Sequence, residues 1–123
     1  MAEREARRVL IVEDEFLVAM HLEDLLLKLG HDVVASVAQF DEATKFADRA
    51  EIDLAILDIN LSGAKSFPVA EILRRRGIPF VFATGYGVDG LVAEFRDEPT
   101  VQKPYELRDL RRAIEEAFAR VSR

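Results

Sequence analysis

The sequence predicts an α/β fold of the flavodoxin-like (βα)5 type, a three-layer sandwich with a parallel sheet between two layers of helices. Short apolar segments alternate along the chain with longer segments that carry apolar residues at intervals of three and four. Most of the short segments are continuously apolar, which is typical of strands covered on both faces. The chain has 123 residues, of which 50% are hydrophobic, so it is long enough for one well-formed core.

The strands are predicted from five short apolar segments. Three of them, at residues 9–12, 54–57 and 80–83, are uninterrupted, whereas the second has a broken apolar run at 33–37 and the last is a weak run around Val101. Strands that alternate with helices are joined by right-handed crossovers, which place helices on both faces of the sheet. The common order of such a sheet is 2-1-3-4-5, and ligands bind at the carboxyl ends of its strands.

The helices are predicted from the amphipathic segments between the strands. Gly30 and Gly77 follow two of these segments as stop signals, and Pro68 stands near the first position of the third helix. The predicted helices cover residues 16–29, 40–50, 67–76, about 89–96, and 106–121.

The composition excludes several classes of protein. There are no cysteines, which excludes disulfide bonds and thiolate metal or redox chemistry. No apolar run approaches the roughly 20 residues that a membrane-spanning helix needs, and the charged start of the chain is unlike a secretory signal. The net charge of −6 disfavours binding to a nucleic-acid backbone. We therefore expect a cytoplasmic, single-domain protein over residues 1–123, with no output domain and no nucleic-acid or membrane partner.

Polar side chains follow four of the predicted strands. Taken singly they have ordinary explanations, because acids often cap helices, threonine before glycine is common in turns, and lysine before proline is usually solvated. Because the carboxyl ends of parallel strands meet at one edge, we expect these side chains to surround one crevice. They are Glu13, Asp14 and Glu15 after the first strand, Asp58 and Asn60 after the third, Thr84 after the fourth, and Lys103 after the fifth.

This set of side chains suits phosphoryl transfer. Crowded carboxylates repel one another unless a cation neutralises them, and an all-oxygen ligand set favours Mg²⁺. With the ion in place one carboxylate can attack phosphorus, since a carboxylate nucleophile needs no base. The hydroxyl of Thr84 and the ammonium of Lys103 would then hold two of the phosphoryl oxygens and Mg²⁺ a third.

The residues resemble the receiver domain of two-component response regulators. The matching motifs are Val-Leu-Ile-Val-Glu-Asp-Glu at 9–15, Leu-Asp-Ile-Asn-Leu at 57–61, Phe-Ala-Thr-Gly at 82–85 and Lys-Pro-Tyr at 103–105. The resemblance covers about residues 7–121 and implies a stand-alone regulator. It implies that Asp58 accepts a phosphoryl group from a sensor histidine kinase and that the signal passes to a downstream protein through phosphorylation-dependent contacts.

The resemblance also implies the ligands of a Mg²⁺ ion. Asp14 and Asp58 would supply carboxylates, Asn60 its backbone carbonyl, and Glu13 a contact through water. Glu13 stands where the family more often has a second aspartate, which lengthens one arm of the metal site.

The remaining implications concern the phosphoryl group and the activity. Thr84 and Lys103 would bind the phosphoryl group, and the Lys103–Pro104 peptide bond is expected to be cis. The resemblance implies a signalling protein rather than an enzyme, with at most slow self-phosphorylation from small phosphodonors and slow self-dephosphorylation. We expect a monomer or weak homodimer.

Several positions depart from the family pattern. Ser62 and Ser66 replace the usual proline and glycine of the loop after the phosphoacceptor. The interval from Thr84 to Lys103 is short by roughly one helical turn, which predicts a shortened or mobile fourth helix.

The switch residue also departs from the pattern. Thr100 stands where most receivers carry tyrosine or phenylalanine. Residues 82–86 resemble a receiver subgroup named for Phe-Ala-Thr-Gly-x-Tyr, with Gly87 at its final tyrosine position. Tyr86 and Tyr105 are therefore the candidate switch residues.

Two alternative functions stay open from the sequence. Phosphatases of the haloacid dehalogenase type also use a strand-end aspartate, Mg²⁺, a hydroxyl and a lysine. They need an acid two residues after the nucleophile to protonate the leaving group, and that position is Asn60 here. The other alternative is a pseudo-receiver that binds partners without being phosphorylated.

Overall fold

The structure, a computed structural model, describes residues 6–85, 91 and 93–121. In these residues strands and helices alternate, as the sequence predicts. The strands are β1 (Arg8–Val12), β2 (Asp32–Val37), β3 (Leu54–Asp58), β4 (Asn60–Leu61), β5 (Ala64–Lys65), β6 (Phe80–Thr84) and β7 (Thr100–Gln102). The α-helices are α1 (Phe16–Lys28), α2 (Phe40–Arg49), α3 (Phe67–Arg76) and α4 (Leu107–Val121).

The main sheet has five strands in the order β2-β1-β3-β6-β7, and all of its pairs are parallel. This confirms the predicted order, with β6 and β7 as the fourth and fifth strands. Strands β3 and β6 are buried at every residue, whereas β2 at the sheet edge alternates between exposed and less exposed residues. The difference explains why the apolar run of β2 is broken in the sequence.

An antiparallel hairpin of β4 and β5 follows the central strand directly. The sequence predicts a loop at this position. Each of the two strands has two residues, and Ser62 and Gly63 between them have φ angles of 50° and 94°. Such short strands carry too few residues to show an alternating pattern.

The helices bury the two faces of the sheet separately. Helices α2 and α3 pack on one face, where Leu10, Leu57 and Phe82 are fully buried. Helices α1 and α4 pack on the other face, where Ile11 and Val81 are fully buried. This is the predicted three-layer arrangement, and it leaves the carboxyl ends of the strands uncovered by helices.

The segment between β6 and β7 is anchored by Phe95. The helix predicted at about 89–96 is represented, in the described part of this segment, by a 3₁₀ turn at Ala93–Phe95. Phe95 packs against the rings of Phe67, Phe80 and Phe82. The turn is therefore held to the α2–α3 side of the sheet by aromatic contacts.

No helix within the described residues is both long enough and apolar enough to cross a membrane.

Candidate functional site

The strand register brings the predicted site residues together. Val12 pairs with Leu57, so that Glu13 and Asp58 leave adjacent strands at the same level. Asp58 pairs with Ala83, and the amide N–H of Lys103 donates to the carbonyl of Thr84 at 3.0 Å. Four segments far apart in sequence therefore meet at one edge of the sheet.

Lys103 connects two of the carboxylates. Its Nζ lies 3.0 Å from Oε1 of Glu13 and 3.3 Å from Oδ2 of Asp58. The side chains of Glu13 and Asp58 are 1% and 11% exposed, and that of Lys103 is 20% exposed. The two carboxylates raise the pKa of the ammonium despite its partial burial, so Lys103 stays charged. The lysine thus holds one fixed positive charge against an acidic cluster.

Glu13 is the most buried acid of the site. Burial raises its pKa to about 7, although hydrogen bonds from Lys103 and from the backbone N–H of Glu15 oppose that shift. The N–H of Glu15 donates to Oε2 of Glu13 at 3.1 Å. The resemblance implies a water-mediated metal contact for Glu13, and the structure adds a direct ion pair with Lys103.

Asp14 is held by the β4–β5 hairpin. Its Oδ2 accepts hydrogen bonds from the backbone N–H of Ser62 at 2.9 Å and from the Ser62 hydroxyl at 3.1 Å. Partial burial of the Asp14 carboxyl opposes ionisation, but these hydrogen bonds outweigh it and hold its pKa below the usual range. Asp14 is therefore an ionised carboxylate with a defined orientation.

The acidic run of Glu13, Asp14 and Glu15 leads directly into helix α1. Glu15 is the N-cap residue of α1 and makes no side-chain capping hydrogen bond. The carboxylates of Glu13 and Asp14 instead accept hydrogen bonds from Glu15 and from the hairpin. The capping explanation of this acidic run is therefore wrong for Glu15.

The donor set fits a hard divalent cation. One carboxylate oxygen each from Glu13, Asp14 and Asp58 lies within 4.8 Å of the others. Oxygen ligands with several ionised carboxylates are what Mg²⁺ prefers. The charges of these acids exceed what Lys103 alone neutralises, so the residues present fit the ion that the sequence predicts.

Asp14 and Asp58 open onto one cavity of about 570 Å³. Most of the residues predicted for the site line it, and Thr84, one of them, is buried beneath the surface. The lining residues are Asp14, Glu15, Asp58, Ile59, Asn60, Lys65, Thr84, Gly85 and Lys103.

The described residues include one of the two aromatic switch candidates. Tyr105 is 5% exposed, and its hydroxyl has no hydrogen-bond partner among the described residues. Burial, together with the charges of Glu13 and Asp58, raises the pKa of its phenol. Tyr86 lies outside the described residues. The Lys103–Pro104 bond is cis, as expected.

Three features of the site were missed by the sequence reasoning. The sequence predicts only a loop at Ser62, yet the backbone N–H and the hydroxyl of Ser62 donate hydrogen bonds to Asp14. Lys65 lines the cavity from the hairpin. Phe16 and Leu17 are 75% and 76% exposed beside the acidic run, so the first turn of α1 presents apolar side chains to solvent. The sequence does indicate this exposure, because both of these residues lie outside the apolar stripe of the helix that includes Leu22.

Comparison with known proteins identifies relatives over most of the chain. Residues 9–115 match the family described as response regulator receiver domain. The transcriptional regulatory protein PdtaR of Mycobacterium tuberculosis is 35% identical over 118 residues, which cover 93% of this chain and 58% of PdtaR. The phyllosphere-induced regulator PhyR of Methylorubrum extorquens is 34% identical, with 92% of this chain and 44% of PhyR covered. The chain thus spans about half the length of these two curated relatives.

Solved structures show the same similarity. The solution structure of SdrG from Sphingomonas melonis Fr1 is 45% identical, covers 92% of this chain and 97% of that one, and superposes with a TM-score of 0.84. The BeF3-activated conformation of SdrG from Pseudomonas melonis Fr1 is 46% identical, with coverages of 89% and 93% and a TM-score of 0.76.

Proposed function

The chain belongs to the response regulator receiver domain family, and we propose that it accepts a phosphoryl group on Asp58 in a Mg²⁺-dependent reaction. One observation carries the proposal. The ammonium of Lys103 lies 3.3 Å from the Asp58 carboxylate, while oxygens of Glu13 and Asp14 lie within 4.8 Å of the Asp58 oxygen. The proposed nucleophile, the acids that would hold a cation and a positive charge therefore lie together at one edge of the sheet.

The nucleophile needs no activation by a base. An oxygen of Asp58 forms the new O–P bond while the P–N bond of a donor phosphohistidine breaks, and the electron pair of that bond stays on the imidazole. Lys103 remains beside the acceptor carboxylate and stabilises the negative charge of the transferred group. Thr84 lines the same cavity, and its hydroxyl would donate to a phosphoryl oxygen.

The acidic residues would hold the metal. Asp14 and Asp58 would supply carboxylate ligands, Asn60 its backbone carbonyl, and Glu13 an outer contact. A Mg²⁺ ion held there would supply positive charge that offsets the acids and reduces the repulsion between the donor and the site. The hydrogen bonds from Ser62 keep Asp14 ionised and oriented for this role.

Phosphorylation is tested directly with acetyl phosphate and Mg²⁺. We expect intact mass spectrometry to show one added phosphoryl group on the wild-type protein and none on Asp58→Asn. Asp53→Asn is a matched control, because it removes an aspartate at the opposite end of β3 from the site and should still be phosphorylated. No adduct on the wild-type protein, or an adduct that survives in Asp58→Asn, would contradict the proposal. Rapid turnover of general phosphate esters would indicate a phosphatase instead.

A histidine kinase is the proposed phosphodonor, and it must contact the surface beside the cavity. Phe16, Leu17 and Met20 are 75%, 76% and 51% exposed on α1, directly after the acidic run. An apolar patch of this kind marks a protein contact. We expect Leu17→Glu to slow phosphotransfer from the kinase while the rate with acetyl phosphate stays unchanged. An equal loss with both donors would show damage to the site rather than to docking.

Tyr105 is the proposed switch residue among the described residues. Its hydroxyl is buried without a partner among the described residues, and burial, followed by the charges of Glu13 and Asp58, raises the pKa of its phenol. Its ring centroid lies 6.1 Å from that of His21 on α1. A change of charge at Asp58 would therefore act on a side chain that also contacts α1. Tyr105→Ala and Tyr86→Ala variants should be phosphorylated but lose the phosphorylation-dependent change in their NMR spectra, and variants that respond like wild type would contradict a switching role.

A further inference from the structure

We infer that Lys65 is a second phosphoryl-binding cation of this site, with its ammonium facing the phosphoryl group that is delivered to Asp58. The inference rests on the proposed function and deepens it. Lys65 lines the same cavity as Asp58, Thr84 and Lys103. Among the described residues it is, with Lys103, one of two lysines on that cavity wall. No arginine lines this part of the described structure.

The hairpin gives Lys65 a defined position. Lys65 is the cross-strand partner of Asn60 in the β4–β5 pair, and its Nζ donates a hydrogen bond to Asn60 Oδ1 at 2.5 Å. The tip of the hairpin is tied to Asp14 through the two hydrogen bonds from Ser62. Asn60 itself follows Asp58 by two residues. The ammonium is therefore held on a short, anchored element rather than on a free loop.

The charge of Lys65 is still available to an anion. Lys103 already shares its charge between Glu13 and Asp58. Lys65 donates to a neutral amide oxygen, and it forms no ion pair with a carboxylate in the described part of the chain. An ammonium has three donors, so two N–H groups of Lys65 remain for the oxygens of a phosphoryl group.

The chemistry of the step needs such a charge. A phosphodonor is an anion that must enter a cavity lined by carboxylates, and Lys103 is engaged by two of them. A second ammonium at the mouth attracts the donor and stabilises the charge on the transferring phosphoryl group. Loss of one charge-assisted contact of this exposed kind should slow phosphorylation about three- to tenfold.

The test compares two phosphodonors of different charge at neutral pH and low ionic strength. Acetyl phosphate enters as a dianion, whereas phosphoramidate carries less net negative charge. The variants are Lys65→Met, which removes the charge at similar length, and Lys65→Arg, which keeps it. Lys28→Met is the matched control, because Lys28 is exposed at the far end of α1 and its loss changes the net charge equally. The rate of phosphoryl incorporation is followed by intact mass.

We expect Lys65→Met to lose about three- to tenfold in rate with acetyl phosphate and distinctly less with phosphoramidate. The difference from wild type should shrink as salt is raised, because salt screens exposed charges. Lys65→Arg should restore the rate at least in part, and Lys28→Met should match wild type. A general structural defect would slow both donors equally at every salt concentration.

The inference and the proposed function fail in different ways. A wild-type protein that acquires no phosphoryl group contradicts the proposed function itself. A wild-type protein that is phosphorylated, with Lys65→Met matching it for both donors, overturns the assignment of Lys65 alone. A Lys65→Met loss that is the same for both donors and insensitive to salt also overturns it.

Discussion

Replacement of Phe95 by alanine tests how the chain between Thr84 and Lys103 is held. Phe95 is 1% exposed, and its ring stacks on Phe67 with centroids 5.5 Å apart and planes 9° apart. It meets the ring of Phe82 edge-on at 5.6 Å. On its outer side the guanidinium carbon of Arg74 lies 4.4 Å from the ring centroid. The side chain thus has partners from α3, from β6 and from the surface.

The expected cost follows from these contacts. Truncation of a fully buried phenylalanine to alanine costs about 3–5 kcal/mol, including the cavity that remains. Each aromatic pair adds about 0.5–1.5 kcal/mol beyond burial, which places Phe95→Ala in the upper half of that range. Phe95→Leu keeps most of the volume and should cost about 1–2 kcal/mol. Because a domain of this size is stable by about 5–15 kcal/mol, the alanine variant should still fold.

Urea denaturation followed by circular dichroism measures this difference. With a denaturant slope of about 2 kcal/mol per molar, the Phe95→Ala midpoint should fall by about 2 M and the Phe95→Leu midpoint by less than 1 M. The slope itself should stay unchanged. A loss below about 1.5 kcal/mol for the alanine variant would refute the view that Phe95 anchors this segment in the core.

Three further predictions concern charged groups. The Arg8 guanidinium beside Asp53 holds the pKa of that carboxyl below its usual value, so Asp53→Asn should be less stable than wild type at pH 7. That difference in stability should disappear as the pH falls from about 4 through the depressed pKa, because Asp53 becomes protonated in the folded wild type. Thermal melts of both proteins at pH 7 and in acid would contradict this if the variant stayed less stable than wild type in acid. Glu98, whose side chain is 9% exposed, joins α3 to α4 by accepting hydrogen bonds from two arginines. Glu98→Gln should therefore lower the free energy of unfolding, measured by urea titration, by about 1–3 kcal/mol. An unchanged free energy of unfolding would show that these ion pairs contribute nothing to stability. Lys103→Met removes an ammonium that lies 3.3 Å from Asp58. Mg²⁺ should therefore bind to the variant about three- to tenfold more tightly than to wild type in an NMR titration at pH 8. Weaker binding of Mg²⁺ would argue that Lys103 organises the metal ligands.

The sheet could be predicted because its strands are buried on both faces. Three strands have continuous apolar runs, at residues 9–12, 54–57 and 80–83. A continuous run is expected wherever helices cover both faces of a parallel sheet, as they do in this fold class. Once their order is known, the polar residues that follow each strand must meet at one edge. Asp58 and Lys103 are therefore predicted to meet because each follows an apolar strand, which can be recognised in each segment of the sequence separately.

The hairpin could not be predicted in this way. It has two residues in each strand, too few for periodicity, and its tip is held by hydrogen bonds from Ser62 to Asp14, 48 positions earlier in the chain. The role of Lys65 depends on that hairpin. In the sequence Lys65 is one more charged residue in a polar stretch.

The amino-acid sequence alone determined the fold class, the strand order and the set of residues at the carboxyl edge, because hydrophobic periodicity and strand ends are local properties. The tertiary structure decided which of these side chains touch. It joined Lys103 to Glu13 and Asp58, buried Glu13 until its pKa reached about 7, and set Lys65 on the cavity wall. Distances between side chains on different strands depend on register and packing across the whole sheet, and no single segment of the chain encodes them.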